Sequence, residues 1–248
     1  MVTGAASGFG RTFAQRIAAL GDPVALWDLD PNGLRETEAM LGGARCVCIE
    51  VDVTDPEAVR RAATETLESL GSVAHVVHSA GVLRVGPAEL VTPADYDLMM
   101  RVNYLGSVHV AQALLPQLRD ARGRSVLMFV ASVAGLRGFP ELAGYSASKF
   151  AVVGFAQALR DELHDTAIDV RVLCPPPGDT PMVRNLPRLP PIYKLSKMFS
   201  ADQVVDAALR GLEKRSWIVL VDLNSRALER IGALMPGVLD RVIRLATR

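Results

Sequence analysis

The feature that most constrains the fold is the alternation of two sequence patterns along the 248 residues. Short apolar runs, such as residues 24–27 and 125–130, are typical of strands that are buried on both faces. Between them lie longer stretches, such as residues 11–20, whose apolar side chains recur at helical spacing. Strands that alternate with helices from end to end predict one α/β domain, a doubly wound parallel sheet with helices on both faces.

A glycine-rich turn precedes the helical stretch at residues 11–20. Gly4, Gly8 and Gly10 would let the backbone approach a pyrophosphate, which the N-terminus of the following helix favours electrostatically. The spacing differs from the more general Gly-x-Gly-x-x-Gly pattern, but its place at the start of the alternation favours a dinucleotide site. Only residues 1–3 precede the turn, so either the first strand is very short or the true start lies upstream.

Asp28 ends the apolar run at residues 24–27, about 20 residues beyond the glycines. An acid at this place can accept hydrogen bonds from the hydroxyls of a ribose. The alternative is a structural acid, because residues 28–33 are also typical of a turn followed by a helix cap. Ala80 and Gly81 follow a strand predicted at residues 73–77, and their small size permits close approach of a cofactor.

Four polar residues form the predicted catalytic set. Tyr145 and Lys149 are four residues apart in a predicted helix and share one face, where an ammonium would lower the pKa of the phenol. Such a tyrosine can exchange a proton with a substrate oxygen. Ser132 follows a predicted central strand and is placed to hydrogen-bond that oxygen. Asn103, in an apolar helical stretch, either bonds to the backbone at a helix irregularity, holds a water beside the lysine, or does both.

Composition limits the class of protein further. Half of the residues are hydrophobic, which is enough for one large core. There is no run of 18 apolar residues and no signal-peptide pattern, so neither a membrane-spanning helix nor secretion is expected. The three cysteines lack metal-ligand spacing with histidine, and their odd number fits a reduced, cytoplasmic protein. No metal site is expected.

The charge is unevenly distributed, although the net charge is zero. Residues 184–248 carry 12 basic and 6 acidic side chains, but no aromatic residues interleave with the arginines, so nucleic-acid binding is not expected. We divide the chain into a catalytic domain, residues 1–222, and an amphipathic C-terminal extension, residues 223–248, broken at Pro236. The extension either docks on the body or a second subunit, or forms with residues 183–199 an apolar, positively rimmed entrance for a lipid-like substrate or a peripheral membrane contact.

Taken together, these residues resemble the short-chain dehydrogenases/reductases over nearly the whole chain. Residues 3–10 match the cofactor motif of that family, and Asn103, Ser132, Tyr145 and Lys149 fall in order in its catalytic tetrad. The resemblance implies a Rossmann-type sheet of about seven strands. It also implies hydride transfer between a nicotinamide cofactor and a secondary alcohol or ketone, in an enzyme that assembles as a homodimer or homotetramer.

The resemblance also assigns roles to individual residues. Tyr145 would be the acid/base, Ser132 would hold the substrate oxygen, Lys149 would bind the nicotinamide ribose and lower the pKa of Tyr145, and Asn103 would hold a relay water. We expect NAD rather than NADP, because Asp28 would repel a 2′-phosphate and no arginine follows it. Ser7 also stands where NADP-preferring members often carry a basic residue. The expected cofactor-binding residues are Gly4, Ser7, Gly8, Phe9, Gly10, Asp28, Asp52, Val53, Ala80, Gly81, Tyr145, Lys149 and Thr180.

The sequence departs from the family pattern at two strand ends. The usual Asn-Asn-Ala-Gly turn reads His78-Ser79-Ala80-Gly81, and we interpret His78 as structural. The usual Pro-Gly after the sixth strand reads Pro175-Pro176, so that Gly178 replaces a β-branched residue whose backbone contacts the nicotinamide carboxamide. Residues 176–199 are then expected to be an irregular lid with an apolar inner side, suited to a hydrophobic substrate. Alternatives are an NADP-dependent reductase of lipid-like ketones and a catalytically silent dinucleotide sensor or scaffold, although the intact tetrad argues against silence.

Overall fold

The computed structural model describes residues 1–214 and 216–246, so the last two residues of the predicted C-terminal extension, Thr247 and Arg248, lie outside the described residues. A seven-stranded parallel sheet in the order β3-β2-β1-β4-β5-β6-β7 runs through the molecule. This confirms the predicted doubly wound α/β fold. The strands are β1 Val2–Thr3, β2 Val24–Asp28, β3 Cys46–Glu50, β4 His75–His78, β5 Ser125–Val130, β6 Ile168–Cys174 and β7 Ile218–Leu220.

Helices cover the sheet, and local sequence signals explain where many of them begin. Asp30, Asp55, Thr92 and Ser200 each cap a helix by accepting a backbone N–H with the side chain. Proline follows the first three of these caps, at a position where its missing N–H costs nothing. The helices are α1 Gly8–Ala19, α2 Pro31–Ala39, α3 Pro56–Leu70, α4 Pro93–Met99, α5 Gly106–Asp120, α6 Ala143–Glu162, α7 Pro181–Arg184, α8 Pro191–Leu195, α9 Ala201–Glu213, α10 Leu223–Leu234 and α11 Pro236–Ala246.

The core lies on both faces of the sheet, because successive residues of a strand point to opposite faces. In β5, Leu127 and Phe129 join a cluster that includes residues of α3, α5 and α6, whereas Val126 and Met128 join one that includes residues of α1 and α9. All six residues of β5 are buried. This is the reason that the sequence of a central parallel strand is a continuous apolar run rather than an alternating one.

The apolar helical stretch predicted around Asn103 is interrupted. A π-helical turn, Met100–Leu105, joins α4 to α5 and contains Asn103. Such turns insert an extra residue into a helix and are frequent at functional sites.

The stretch between β6 and α9 is also more ordered than the sequence indicated. The prediction that residues 176–199 are irregular throughout is wrong, because α7 and α8 lie within this stretch. Both helices have proline in their first turn, which favours helix initiation but looks like a helix breaker when the sequence is inspected alone.

The C-terminal extension packs partly on the body. Leu228 and Ile231 of α10 and Ile243 of α11 join a third apolar cluster, and Arg137 forms an ion pair with Asp240. Other apolar residues of the extension stay exposed, notably Leu223 at 77% and Leu234 at 80%. None of the helices in the described part of the chain is long and apolar enough to cross a membrane.

Candidate active site

A cavity of about 720 Å³ opens at the carboxyl ends of the central strands. The cavity lies at the boundary between β1 and β4. The chain builds the sheet outward from β1 to β3 and then returns to add β4 on the other side of β1. Ligands of open parallel sheets bind at such a switch point. The lining includes the glycine-rich turn, the ends of β2, β4 and β5, and the segment after β6.

The glycine-rich turn has no room for side chains at two of its positions. A Cβ on Gly4, which has a positive φ of 66°, would lie 2.8 Å from the backbone nitrogen of Ala80, and one on Gly10 would run into the carbonyl of Gly4. The turn therefore packs directly on β4 and leads into α1 at Gly8. Ser7 makes no side-chain hydrogen bond as N-cap of α1, so the first backbone N–H groups of that helix are not capped by a side chain.

A buried hydroxyl joins this turn to β4, a contact that the sequence reasoning missed. Thr3 Oγ1 accepts from the backbone N–H groups of Ser79 and Ala80, each at 3.1 Å, and lies 2.9 Å from His78 Nδ1. Because both lone pairs of the hydroxyl are used, its proton points to Nδ1, and the ring proton is on Nε2. Burial lowers the pKa of His78 to about 3, and the nearby Lys149 charge acts in the same direction. His78 is thus a neutral, structural residue, as its sequence context indicated.

Asp28 lies at the end of β2 and lines the cavity. Its Oδ2 accepts from the backbone N–H of Ala6 at 2.9 Å, and its Oδ1 accepts from that of Asp30 at 3.0 Å. The carboxylate therefore supports the turn, as expected of a structural acid, and it also borders the cavity, as expected of an acid that binds a ribose. Asp52 and Val53 also line the cavity, and Asp52 accepts from the backbone N–H of Thr54.

The predicted catalytic residues meet beyond the end of β5. Ser132, Tyr145 and Lys149 line the cavity and are almost fully buried. Tyr145 and Lys149 both belong to α6, and the Lys149 Nζ lies 5.7 Å from the centre of the Tyr145 ring. Lys149 Nζ also donates to the carbonyl oxygen of Val130 at 2.9 Å, which fixes the lysine above the end of β5.

Burial dominates the electrostatics of these groups. It raises the pKa of Tyr145 to about 12, an effect that the hydrogen bond with Ser132 opposes. It lowers the pKa of Lys149 to about 8. The expectation that the lysine lowers the pKa of Tyr145 below its ordinary value is therefore wrong for this structure, because taking the phenolate out of water outweighs it. The neutral phenol is the favoured form and can donate a proton.

Asn103 is held by the backbone that follows β4. Its Oδ1 accepts from the N–H of Val82 at 2.8 Å, and its Nδ2 donates to the Val82 carbonyl at 3.0 Å and to Ser148 Oγ at 2.9 Å. The interpretation as a backbone-bonded residue at a helix irregularity is confirmed. A Cβ on Gly81 would lie 3.1 Å from Asn103 Oδ1 and 3.4 Å from Lys149 Nζ, so both groups border the same point.

Gly178, the departure from the family pattern, makes room for an aromatic ring. A Cβ at this position would lie 2.9 Å from Phe9 Cε1 and closer still to Cζ. The neighbouring backbone pairs with Phe199, whose N–H donates to Pro177 and whose carbonyl accepts from Asp179. The two ends of the lid are thus held together where residues 177–179 pair with Phe199, and we call this pairing the neck of the lid. Phe9 of the cofactor turn packs against the neck. Thr180, which follows Asp179, is buried, and its Cγ2 lies 3.3 Å from where a Cβ of Gly8 would be.

A second cavity of about 230 Å³ adjoins the first. Four residues line both cavities, namely Ser132, Pro176, Pro177 and Tyr193. The sequence predicts only an apolar inner side for the lid, without singling out Tyr193. Its place between the cavities depends on how the lid folds back, for which the sequence has no local signal.

The chain is similar to known proteins in both sequence and structure. A family model described as short chain dehydrogenase matches residues 1–189. The 1-deoxy-11-beta-hydroxypentalenate dehydrogenase of Streptomyces avermitilis is 35% identical, over 94% of this chain and 86% of that protein. The human 17-beta-hydroxysteroid dehydrogenase 13 is 30% identical, over 95% and 78%. The crystal structure of a Burkholderia phymatum short-chain dehydrogenase/reductase with NAD superposes with a TM-score of 0.87 at 26% identity, over 96% of this chain and 93% of that one.

Proposed function

Because the chain belongs to the short-chain dehydrogenases, an oxidoreductase family that acts on hydroxyl and keto groups with NAD(H), we propose that Tyr145 and Ser132 bind and protonate the oxygen of a hydrophobic ketone or the corresponding secondary alcohol. One observation carries this proposal. The buried Tyr145 phenol and the buried Ser132 hydroxyl lie on the wall of the same large cavity, with Lys149 on the helix of Tyr145.

The cavity fits NAD in shape and charge. The glycine-rich turn and the uncapped N-terminus of α1 offer backbone N–H groups to a pyrophosphate, and added side chains at Gly4 or Gly10 would collide with the backbone. Asp28 and Asp52 give the outer part of the cavity negative charge, which suits ribose hydroxyls and disfavours a 2′-phosphate. When bound, NAD(H) accepts or donates the hydride.

The side chains divide the remaining work between orientation and proton transfer. Ser132 holds the substrate oxygen, while Tyr145, neutral at physiological pH, donates its proton to a ketone oxygen that becomes a hydroxyl. In the opposite direction the same phenolic oxygen receives the proton. Lys149, with a pKa lowered to about 8, can carry a positive charge near the phenolate at neutral pH. Asn103 fixes the backbone after β4 beside that lysine.

Turnover with a panel of secondary alcohols and ketones tests this function directly. The intact protein should oxidise or reduce at least one hydrophobic member of the panel with NAD(H). Binding of NAD without any turnover would favour the alternative of a dinucleotide sensor or scaffold. A higher kcat/KM with NADP would favour the alternative of an NADP-dependent reductase of lipid-like ketones.

The assembly and location of the protein are further parts of the proposal. Leu105 and Phe150 are large apolar side chains that are 39% and 44% exposed, and they supply a surface for a homodimer or homotetramer. A monomeric mass in light scattering would contradict this. Cys46, Cys48 and Cys174 are free thiols, which supports a cytoplasmic location.

The C-terminal extension is the proposed entrance for a hydrophobic substrate and a point of peripheral membrane contact. Leu228 lines the second cavity, whereas Leu223, Leu234 and Leu245 are exposed beside arginines of the same helices. Truncation after Val221 should reduce activity on long-chain substrates, and the full-length protein should sediment with anionic liposomes at low salt but not at high salt. Unchanged activity would refute the entrance, and absence of sedimentation at low salt would refute the membrane contact.

A further inference from the structure

Four residues line both cavities, and only one of them, Tyr193, lies in a helix of the lid. Ser132, Pro176 and Pro177 line both cavities and lie at or just beyond the ends of β5 and β6, where the backbone is tied by a hydrogen bond from the Val133 N–H to the Pro175 carbonyl. The remaining shared residue, Tyr193, comes from α8 in the lid. The position of that ring therefore decides whether the two spaces are separate.

Tyr193 is held firmly in this position. It is 9% exposed and belongs to the apolar cluster that contains Tyr145, Phe139 and Leu142. Its helix starts at Pro191, which follows another proline, and its backbone N–H donates to the Pro190 carbonyl at 2.9 Å. The pairing of Gly178 with Phe199 joins the two ends of the segment that carries this helix.

Much of the lining of the second cavity is apolar, and three of its polar residues, Ser196, Asp222 and Ser225, form hydrogen bonds within the protein. Phe139, Leu142 and Leu228 contribute to its lining. Ser225 is hydrogen-bonded to Asp222, and Lys197 is exposed, with its ammonium 5.2 Å from the centre of the Phe199 ring. The cavity therefore suits an uncharged hydrocarbon group.

We propose that Tyr193 determines substrate specificity by limiting the hydrocarbon group that enters the second cavity from a carbonyl or hydroxyl held at Ser132. A closed apolar cavity of ~150 Å³ accommodates one benzene ring. The cavity of about 230 Å³ therefore accepts a compact group of one or two rings and excludes a larger ring system. The inference rests on the proposed function, because it places the reacting oxygen at Ser132.

Kinetic measurements on matched variants test the inference. The substrates are 1-decalone, a two-ring ketone, and a four-ring steroid ketone, both with NADH. In Tyr193→Ala, the ratio of kcat/KM for the four-ring over the two-ring ketone should rise at least about tenfold, since even one methylene in a pocket changes specificity by ~10-fold or more. In Tyr193→Phe, which keeps the ring, the ratio should stay within about threefold of the wild-type value.

Controls separate the role of the ring from a general disturbance of the lid. Leu189→Ala changes a half-exposed lid residue that lines neither cavity, and it should leave the ratio unchanged. Tyr193→Leu keeps an apolar side chain in the cluster if the alanine variant does not fold, and it should shift the ratio in the same direction. An unchanged ratio in the folded alanine or leucine variant, or an equal shift in Tyr193→Phe, would overturn the inference.

Xenon binding distinguishes failure of this inference from failure of the proposed function. Xenon occupies dry apolar cavities. Crystals of the wild-type protein under xenon pressure should show the gas beside Phe139 and Leu142, whether or not the enzyme turns over a ketone. Xenon without turnover would refute the proposed function alone, whereas absence of xenon would refute the apolar second cavity.

Discussion

Replacing Gly178 by alanine should destabilise the protein because of one aromatic ring. The added Cβ would lie 2.9 Å from Phe9 Cε1 and closer to Cζ, whereas ordinary contacts begin at 3.4 Å. The backbone at Gly178 is outside the positive-φ region, so the conformation itself does not penalise a side chain. Overpacking costs about 1–3 kcal/mol, and the lower end of that range applies here because the colliding atoms are the tip of a half-buried side chain that can shift. We expect a loss of that size in the free energy of unfolding, measured by urea denaturation.

The physical cause can be isolated with a double-mutant cycle. In the background of Phe9→Ala the ring is absent, so adding a Cβ at Gly178 should cost less than about 0.5 kcal/mol. The Phe9–Gly178 contact joins the turn before α1 to the neck of the lid, so Gly178→Ala should also weaken NAD binding relative to the wild-type protein. In the Phe9→Ala background, the same substitution should weaken NAD binding less. Titration of protein fluorescence with NADH measures this difference.

The matched control is Gly138→Ala, where an added Cβ meets no atom within 4 Å. It should change the free energy of unfolding by no more than about 0.5 kcal/mol. An equal cost of Gly178→Ala in the presence and absence of the Phe9 ring would refute the reasoning, because the collision would then not be the source of the loss.

Three further predictions concern the proton donor, the cofactor and acid stability. Tyr145→Phe should lower kcat by about 10²–10⁴ while the Kd for NAD changes little, because only the proton donor is lost, and near-wild-type kcat would contradict the assignment. Asp28→Ala should narrow the kcat/KM preference for NAD over NADP, since it removes an acceptor for ribose hydroxyls and a charge that repels a 2′-phosphate; a wild-type preference for NADP would contradict this. Burial lowers the pKa of His78 to about 3, so the unfolded chain takes up a proton below its ordinary pKa of about 6.5 while the folded protein does not. The contribution of His78 to the free energy of unfolding should therefore fall by about 2 kcal/mol between pH 7 and pH 5, and His78→Asn should abolish this fall. Equal pH dependence of unfolding in the wild-type protein and in His78→Asn would contradict the prediction.

Much of the fold is predictable because the pattern is local. The continuous apolar run that became β5 and the turn at Gly4 are where the sequence places them. Helix ends were less accurate. The turn and helix cap predicted over residues 28–33 overlap the helix itself, which begins at Pro31 because Asp30 accepts the Asn32 N–H as its cap.

Features that depend on distant contacts were not predictable. Ser132, Tyr145 and Lys149 could be chosen by spacing, but the rise in the pKa of Tyr145 depends on how completely the fold buries it. Helical periodicity identified an apolar face in the C-terminal extension. It could not show that Leu228 packs on the body while Leu223 remains in solvent. The place of Tyr193 likewise depends on the pairing of Gly178 with Phe199, twenty-one residues apart in sequence.

The π-helical turn at Met100–Leu105 has a consequence for how this chain tolerates deletions. Each residue of an α-helix turns the chain by about 100°, so the same residues wound as a regular α-helix would rotate the half after the turn by that angle relative to the half before it. The half before the turn packs on α6 through Tyr96 and Met99 near Gly144, and the half after it packs its Val110 and Leu114 into the core. Both faces cannot be kept at once in a regular helix. The wider turn therefore absorbs the extra residue, so removing one residue within it should leave both packing faces in place, whereas removing one from the regular part of either helix should not.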